Sequence, residues 1–241
     1  MASILKKWKK SRQPYCSAVV VAAGNASRMQ GVDKIMTEVA GVPVIARTLS
    51  ALERCEMIDE VVVVTRSDLI FPISDVCANF GFSKVKKVVE GGSDRARSVL
   101  NGLKEINPQA GIAAIHDGAR PFVTQRMLKE VIQAAINSGA AAPAIPVSDT
   151  IKQAKKGIVT GTPDRSTLFA VQTPQVFDAD FICGALHKCI EQNLPLTDDC
   201  SAAEQMGKQV VLTQGDTRNI KITTQFDLVV GEAIIQCQSA E

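Results

Sequence analysis

Long apolar runs are missing from this 241-residue chain. Its most hydrophobic stretches, such as Ala18–Ala23 and Val61–Val64, fall far short of the roughly 20 residues a membrane-spanning helix needs. The basic start, MASILKKWKKSRQPYC, has no apolar segment behind its lysines, which excludes a secretory signal. The seven cysteines lack CxxC or any paired spacing, so reduced thiols and a cytoplasmic setting are expected. Cys183 and Cys189 fit a helix face and Cys77 a helix interior, and all seven are read as packing residues. Histidine is scarce: His116 and His187 have no third ligand at suitable spacing, which argues against zinc. An excess of one charge is missing too. With 27 Lys and Arg against 25 Asp and Glu, the net charge of +2 gives no basic face for nucleic acid. Only Lys6–Arg12 resembles one, and such a run reads as a solvated terminus. There is no GxxxxGK[ST], no GxGxxG and no GxSxG, so the common nucleotide loops and the hydrolase elbow are absent.

What is present is an alternation. Short β-branched runs at Ser17–Ala22, Glu60–Thr65, Ser83–Val89, Ile112–His116, Ala140–Pro146 and Val210–Thr213 read as strands. Between them, helical periodicity covers Pro43–Arg54, Ser67–Phe80, Asp94–Ile106, Thr124–Ser138, Ala179–Gln192 and Thr224–Gln236, with Ser93 and Thr124 as capping residues. Strands apolar on both faces and separated by single helices predict an α/β fold, a mostly parallel sheet covered by helices on both faces. One segment departs from the pattern. Residues 147–169, VSDTIKQAKKGIVTGTPDRSTLF, alternate polar and β-branched residues around Lys155-Lys156-Gly157 and predict a protruding β-arm. A hairpin that cannot bury both faces alone suggests a partner subunit; lying back on its own domain is the other reading.

Ligands of an open parallel sheet collect at the carboxyl ends of the strands. There the chain places Gly24–Met29 with Asp33-Lys34, then GGSDRARS (Gly91–Ser98), DGARP (Asp117–Pro121), SDTIK (Ser148–Lys152) and NIKIT (Asn219–Thr223). Gly24 and its small neighbours let backbone N–H groups approach anionic oxygens, while Arg28 offers a planar fork and Lys34 a compact charge. On its own this loop is either a tight turn or a polyphosphate cradle. Asp117, directly after a buried strand, needs a cation: Mg²⁺, which takes one or two carboxylates plus substrate phosphates, or Arg120 in a structural pair.

With these loops assembled, the chain from about Ser17 to Ala233 resembles the 2-C-methyl-D-erythritol 4-phosphate cytidylyltransferase family. The resemblance rests on AAGxxxRM, a following Lys, GGxxRxxSV, HDGARP, DT-x-K, DR, QTPQ-x-F, TDD and NIK-x-T in this order. It implies a Rossmann-like nucleotidyltransferase domain over residues 17–238, behind a basic leader of residues 1–16, with an arm that interlocks with a second copy. It also implies roles. Ala22, Ala23, Gly24, Arg28 and Lys34 match the triphosphate loop, with Arg28 and Lys34 as transition-state stabilisers. Gly91, Asp94 and Ser98 match the segment near cytosine and ribose, and Asp117 and Arg120 residues around ribose, metal and acceptor phosphate. Thr150 and Arg165 match arm residues that reach the neighbour's acceptor; Lys221 and Thr223 match later site residues, Lys221 near the α-phosphate. Asp227 matches a metal ligand of related sugar nucleotidyltransferases.

The resemblance further implies CTP, a polyol phosphate and Mg²⁺ or another divalent cation as ligands, a homodimer, and no nucleic acid or membrane. Where many members read P-K-Q, this chain has Asp33-Lys34-Ile35, and Asp33 is expected to form a resting ion pair with Lys34. Ribitol-5-phosphate cytidylyltransferase shares almost every motif. A catalytically silent nucleotide-binding scaffold is the alternative of another class.

Overall fold

The first strand shows how this sequence builds two layers around one sheet. In CSAVVV every side chain is apolar or small, and successive residues point to opposite faces. Ala18 and Val20 join a core beneath one set of helices, while Val19 joins a second core beneath the other set. The structure, a computed structural model, describes residues 13–24 and 33–239.

In chain order the elements are strand β1 (Cys16–Val21), the short pair β2 (Glu38–Val39) and β3 (Val42–Pro43), helix α1 (Val44–Glu53) and strand β4 (Glu60–Thr65). Helix α2 (Ile70–Phe80), strand β5 (Val85–Glu90), helix α3 (Arg95–Glu105), strand β6 (Ile112–Asp117), helix α4 (Gln125–Ser138) and strand β7 (Ala140–Pro146) follow. The arm strands β8 (Gln153–Lys155) and β9 (Ile158–Gly161) come next, then β10 (Phe169–Val171), β11 (Gln175–Asp178), helix α5 (Ala179–Glu191), helix α6 (Asp199–Gln205), strand β12 (Val211–Gln214) and helix α7 (Gln225–Ser239).

The main sheet runs β10-β7-β11-β6-β1-β4-β5, with β12 also on β7. From β6 through β1 and β4 to β5 the strands are parallel; β1, β4 and β6 are buried, as in a sheet covered on both faces, while the edge strand β5 is partly exposed. Two short strands, β10 and β11, run antiparallel to their neighbours. Helices α1, α2 and α4 cover one face and α3, α5 and α6 the other. Gly102 lets α3 lie close: a Cβ there would come within 2.5 Å of Val19 Cγ1 and 2.6 Å of Val64 Cγ2.

The strands and helices expected from periodicity are all present. The cap of α3 is a correction: Asp94, not Ser93, accepts from the N–H of Arg97 at 2.8 Å. Asp wins because its carboxylate complements the helix N-terminus as well as accepting the bond. Thr124 caps α4 as expected. Cys237 is exposed on α7, so it is no packing residue, unlike the buried Cys16, Cys55, Cys77, Cys189 and Cys200. The basic leader lies outside the described residues, apart from its last four positions.

Candidate active site

At the carboxyl ends of β1 and β6 the chain leaves the sheet on both sides of one cavity of about 290 Å³. Ala22, Ala23 and Gly24 line it from β1, Asp94, Arg95 and Ser98 from the start of α3, Asp117 from β6, and Lys34 and Lys221 from the loops. Eight of the residues expected from sequence therefore meet here. Gly91 lies just behind: a Cβ on it would come within 2.7 Å of Ala23 Cβ and 2.9 Å of Ser98 Oγ. Close approach of the two loops is why glycine stands there. Lys34 reaches across the opening, its Nζ 3.8 Å from where a Cβ on Gly24 would be.

Asp117 is the electrostatic centre. Its Oδ2 lies 2.8 Å from Lys221 Nζ and 3.6 Å from Arg120 Nε, and its Oδ1 lies 3.5 Å from Arg95 Nε. Burial alone would raise the pKa of this carboxyl group; Lys221, Arg95 and Arg120 overcome that and hold it at about 2. Of the two readings of DGARP, the structural pair with Arg120 is present, and the same carboxylate also lines the cavity. Arg120 donates from Nη1 to the carbonyl of Asn219 at 2.7 Å, tying the DGARP and NIKIT loops together. Its buried Nε has no hydrogen-bond partner among the described residues.

His116 holds this loop from below. It is completely buried, and burial drives its pKa down to about 4, so the ring is neutral at neutral pH. Thr173 Oγ1 lies 3.0 Å from Nδ1 and accepts from the N–H of Asp117 at 3.1 Å. The threonine proton therefore goes to Nδ1, and Nε2–H donates to the carbonyl of Arg120 at 3.2 Å. The histidine spans the turn that carries both Asp117 and Arg120.

Several expected contacts take a different form. Asp94 spends its side chain capping α3 and pairing with Arg97. Ser98 donates to the Asp94 carbonyl at 2.8 Å and accepts from Gly92 N–H at 3.0 Å, so it shapes the loop from within. Asp227 does not line the cavity; its Oδ2 takes bonds from Thr223 N–H at 2.7 Å, Thr223 Oγ1 at 2.8 Å and Thr224 N–H at 2.8 Å. It orients Thr223 at the entry to α7. Thr150 and Arg165 stand exposed on the arm, away from the cavity, with Arg165 Nη1 donating to the Ser148 carbonyl at 2.6 Å. Arg28 lies outside the described residues. Asp33 makes its 2.8 Å ion pair with Arg66.

Sequence reasoning missed Arg95, Asp199, Thr173, Asn219 and Arg66. Arg95 forks onto both oxygens of Asp199, at 2.9 and 2.8 Å. Arg95 and Asp199 both stand in quoted motifs, GGSDRARS and TDD, and as the first residues of α3 and α6 they face this end of the sheet. That position was the signal.

The family model for IspD, 2-C-methyl-D-erythritol 4-phosphate cytidylyltransferase, matches residues 16–237. A 2-C-methyl-D-erythritol 4-phosphate cytidylyltransferase from Caldanaerobacter subterraneus subsp. tengcongensis is 43% identical over 223 residues, covering 91% of this chain and 98% of that protein. One from Geobacillus kaustophilus is 43% identical over 225 residues, covering 93% and 98%. The crystal structure of 4-diphosphocytidyl-2C-methyl-D-erythritol synthase from Anaerococcus prevotii superposes with a TM-score of 0.84 at 31% identity, covering 93% of this chain and 97% of that one. Fold, cavity and sequence agree: the chain belongs to the 2-C-methyl-D-erythritol 4-phosphate cytidylyltransferase family.

Proposed function

We propose that this enzyme transfers CMP from CTP to 2-C-methyl-D-erythritol 4-phosphate, releasing pyrophosphate. The observation that carries the reading is the cavity itself, where Lys34 and Lys221 share the lining with an ionised Asp117 and a glycine loop, in a chain of this family. The acceptor's phosphate oxygen attacks the α-phosphorus of CTP, a P–O bond forms, and the bond to the bridging oxygen breaks with pyrophosphate leaving. A phosphate monoester already offers an anionic oxygen near neutral pH, so no general base is required. That fits a site whose histidine is buried and neutral.

Charge placement then supplies most of the rate effect. Lys34, with Arg28, neutralises the departing pyrophosphate, and Lys221 the α-phosphate. Backbone N–H groups around Gly24 and Gly91 approach phosphate and base. Arg120 and Thr223, which do not line the cavity itself, are assigned to the acceptor by the family resemblance. The donor set suits Mg²⁺: Asp117 is held ionised at the cavity, and a cation that prefers few carboxylates takes its other ligands from phosphates and water. Held there, a divalent cation would supply Lewis-acid stabilisation of the charge that develops on the phosphates. Asp117 is a cavity-lining carboxylate that would hold the cation, while Asp227, the second residue the resemblance suggests, does not line the cavity and bonds Thr223 and Thr224.

The arm supports a homodimer. Ile158 and Val159 on β9 are 72% and 56% exposed, an apolar edge that a second copy would cover while presenting Thr150 and Arg165 to its neighbour's acceptor site. A cytoplasmic location accords with the free cysteines; no helix among the described residues is long and apolar enough to cross a membrane.

The test is pyrophosphate release with Mg²⁺, crossing CTP, UTP and ATP with methylerythritol phosphate, ribitol 5-phosphate and no acceptor. Release with CTP and methylerythritol phosphate alone is expected. Release with ribitol phosphate instead would reassign the acceptor, and silence throughout would leave a nucleotide-binding scaffold.

A further inference from the structure

Asp117 carries two differently occupied oxygens. Oδ2 faces Lys221 and Arg120; Oδ1 faces only Arg95 among the ion pairs of this site. Arg95 cannot swing freely toward a ligand, because both terminal nitrogens are engaged by Asp199 in a planar fork. Asp199 is equally fixed. It is 1% exposed, its backbone N–H donates to Gln175 Oε1 at 2.9 Å, and the same amide oxygen takes the N–H of Cys200 at 2.9 Å. Gln175 Nε2 completes the anchor by donating to Asp198 Oδ2 at 2.7 Å. A rigid line thus runs from β11 through the N-terminus of α6 to Arg95 and ends on the cavity carboxylate.

A buried ion pair of this kind adds little net stability, since desolvation offsets its attraction. Burial opposes the charge on both partners; Asp199, with Asp117 and Asp198, offsets it for Arg95, and Arg95 offsets part of it for Asp199, whose carboxyl stays above its usual range. Its expected benefit therefore lies in geometry. We propose that Arg95, braced by Asp199, is a positioning residue: it fixes the rotation of the Asp117 carboxylate, and through it the place of the Lys221 ammonium at the α-phosphate. This rests on the cytidylyl-transfer reading above and adds a residue to it. Arg95 itself need not touch the substrate.

Four variants test the inference: Arg95→Met, Arg95→Lys, Asp199→Asn, and the apolar pair Arg95→Met with Asp199→Leu, which removes both charges together and guards against misfolding. The expected result is a fall in kcat of about 10-fold or more for Arg95→Met, with the KM for CTP changed less than about threefold, because the lost interaction matters in the transition state. Arg95→Lys, which keeps charge without the fork, recovers part of the rate. The apolar pair melts near the wild-type temperature yet stays slow.

The decisive arm is a double-mutant cycle with Lys221→Met. If Arg95 acts through Asp117 and Lys221, then Arg95→Met costs less than about threefold once Lys221 is gone. Equal fold-losses in both backgrounds would mean independent action and overturn the proposal, as would an Arg95→Met enzyme within threefold of wild-type kcat. A wild type releasing no pyrophosphate with any acceptor overturns the functional reading, and this inference with it. An active wild type with indifferent Arg95 variants overturns the inference alone.

Discussion

Arg66 Nη2 stands 2.8 Å from the carboxylate of Asp33, and Nη1 of the same guanidinium reaches the carbonyl of Gly24 at 3.5 Å. One side chain, leaving the end of β4, thus ties together the two described ends of the glycine loop. The contact with Asp33 is an ion pair without an aligned hydrogen bond. Asp33 also accepts from the N–H of Ile35 at 3.1 Å, so it braces the backbone on the far side of Lys34. Asp33 thus has a longer-range ion-pair partner in Arg66, besides the expected neighbour Lys34.

The first prediction follows from that tie. Arg66→Ala raises the KM for CTP several-fold, with kcat reduced less, because the loop that receives the triphosphate loses a fastening rather than a transition-state contact. Both side chains are partly exposed, at 25% and 19%, so salt should weaken the tie. Steady-state kinetics at two ionic strengths checks this. A KM that is unchanged in Arg66→Ala would remove Arg66 from the cradle.

Lys34 is predicted to behave differently. Its ammonium lies over Gly24, where the leaving pyrophosphate would gather charge, so Lys34→Ala lowers kcat by roughly 10²-fold or more, the scale for one preorganised donor. Single-turnover rates with saturating CTP separate this from weaker binding. A variant keeping more than half of wild-type turnover would contradict the assignment.

A third prediction concerns pH. His116 has a folded pKa of about 4 against 6.5 unfolded, because burial disfavours its charged form. Between pH 6.5 and 4 the unfolded chain binds a proton that the folded chain does not, so stability is full above 6.5 and falls as pH drops through that window. The shift corresponds to at most about 3 kcal/mol. Asp117, lowered from 3.8 to about 2, adds a loss only at still lower pH. Urea midpoints from pH 7.5 to 4 should fall less steeply in His116→Asn than in wild type; equal slopes would show that His116 does not carry the window.

Much of this architecture could be read in the chain, and the rest was hidden for physical reasons. Strong β-branched runs and four-turn amphipathic helices declare themselves by period, which is why β1, β4, β6 and α4 fall where expected. Strands β10 and β11, three and four residues long, carry too few alternations, and the seven-residue α6 barely two turns. What holds the two strands is pairing with β7 and β6, which are remote in sequence or set by other signals. At the site, single residues after strands were legible because strand ends are where ligands gather. Partners across the fold were not. Nothing local links Arg95 to Asp199, 104 positions apart, or His116 to Thr173, 57 apart. A role that depends on such a pairing, like that of Asp199 in bracing Arg95, appears only once the chain has folded.

The arm gives the last prediction. Thr150 and Arg165 are exposed and stand away from the cavity, yet the resemblance assigns them to the acceptor. The proposed homodimer would reconcile these statements, with the arm of one subunit completing the site of another. Arg165→Ala and Lys34→Ala homodimers should each be nearly inactive. In a mixed dimer, the Lys34→Ala chain still offers an intact arm to the other chain's intact lysine, so one site per dimer is whole. Recovery of up to half the wild-type activity per heterodimer is therefore expected, with the two chains carrying different affinity tags so that heterodimers can be isolated. If each arm served its own chain, neither site in the heterodimer would be whole, and activity would stay at the level of the inactive parents. The same preparation checks the apolar edge: replacing Ile158 and Val159 together by Asp should leave the parallel sheet folded while shifting the protein toward monomer in sedimentation, with activity lost in step.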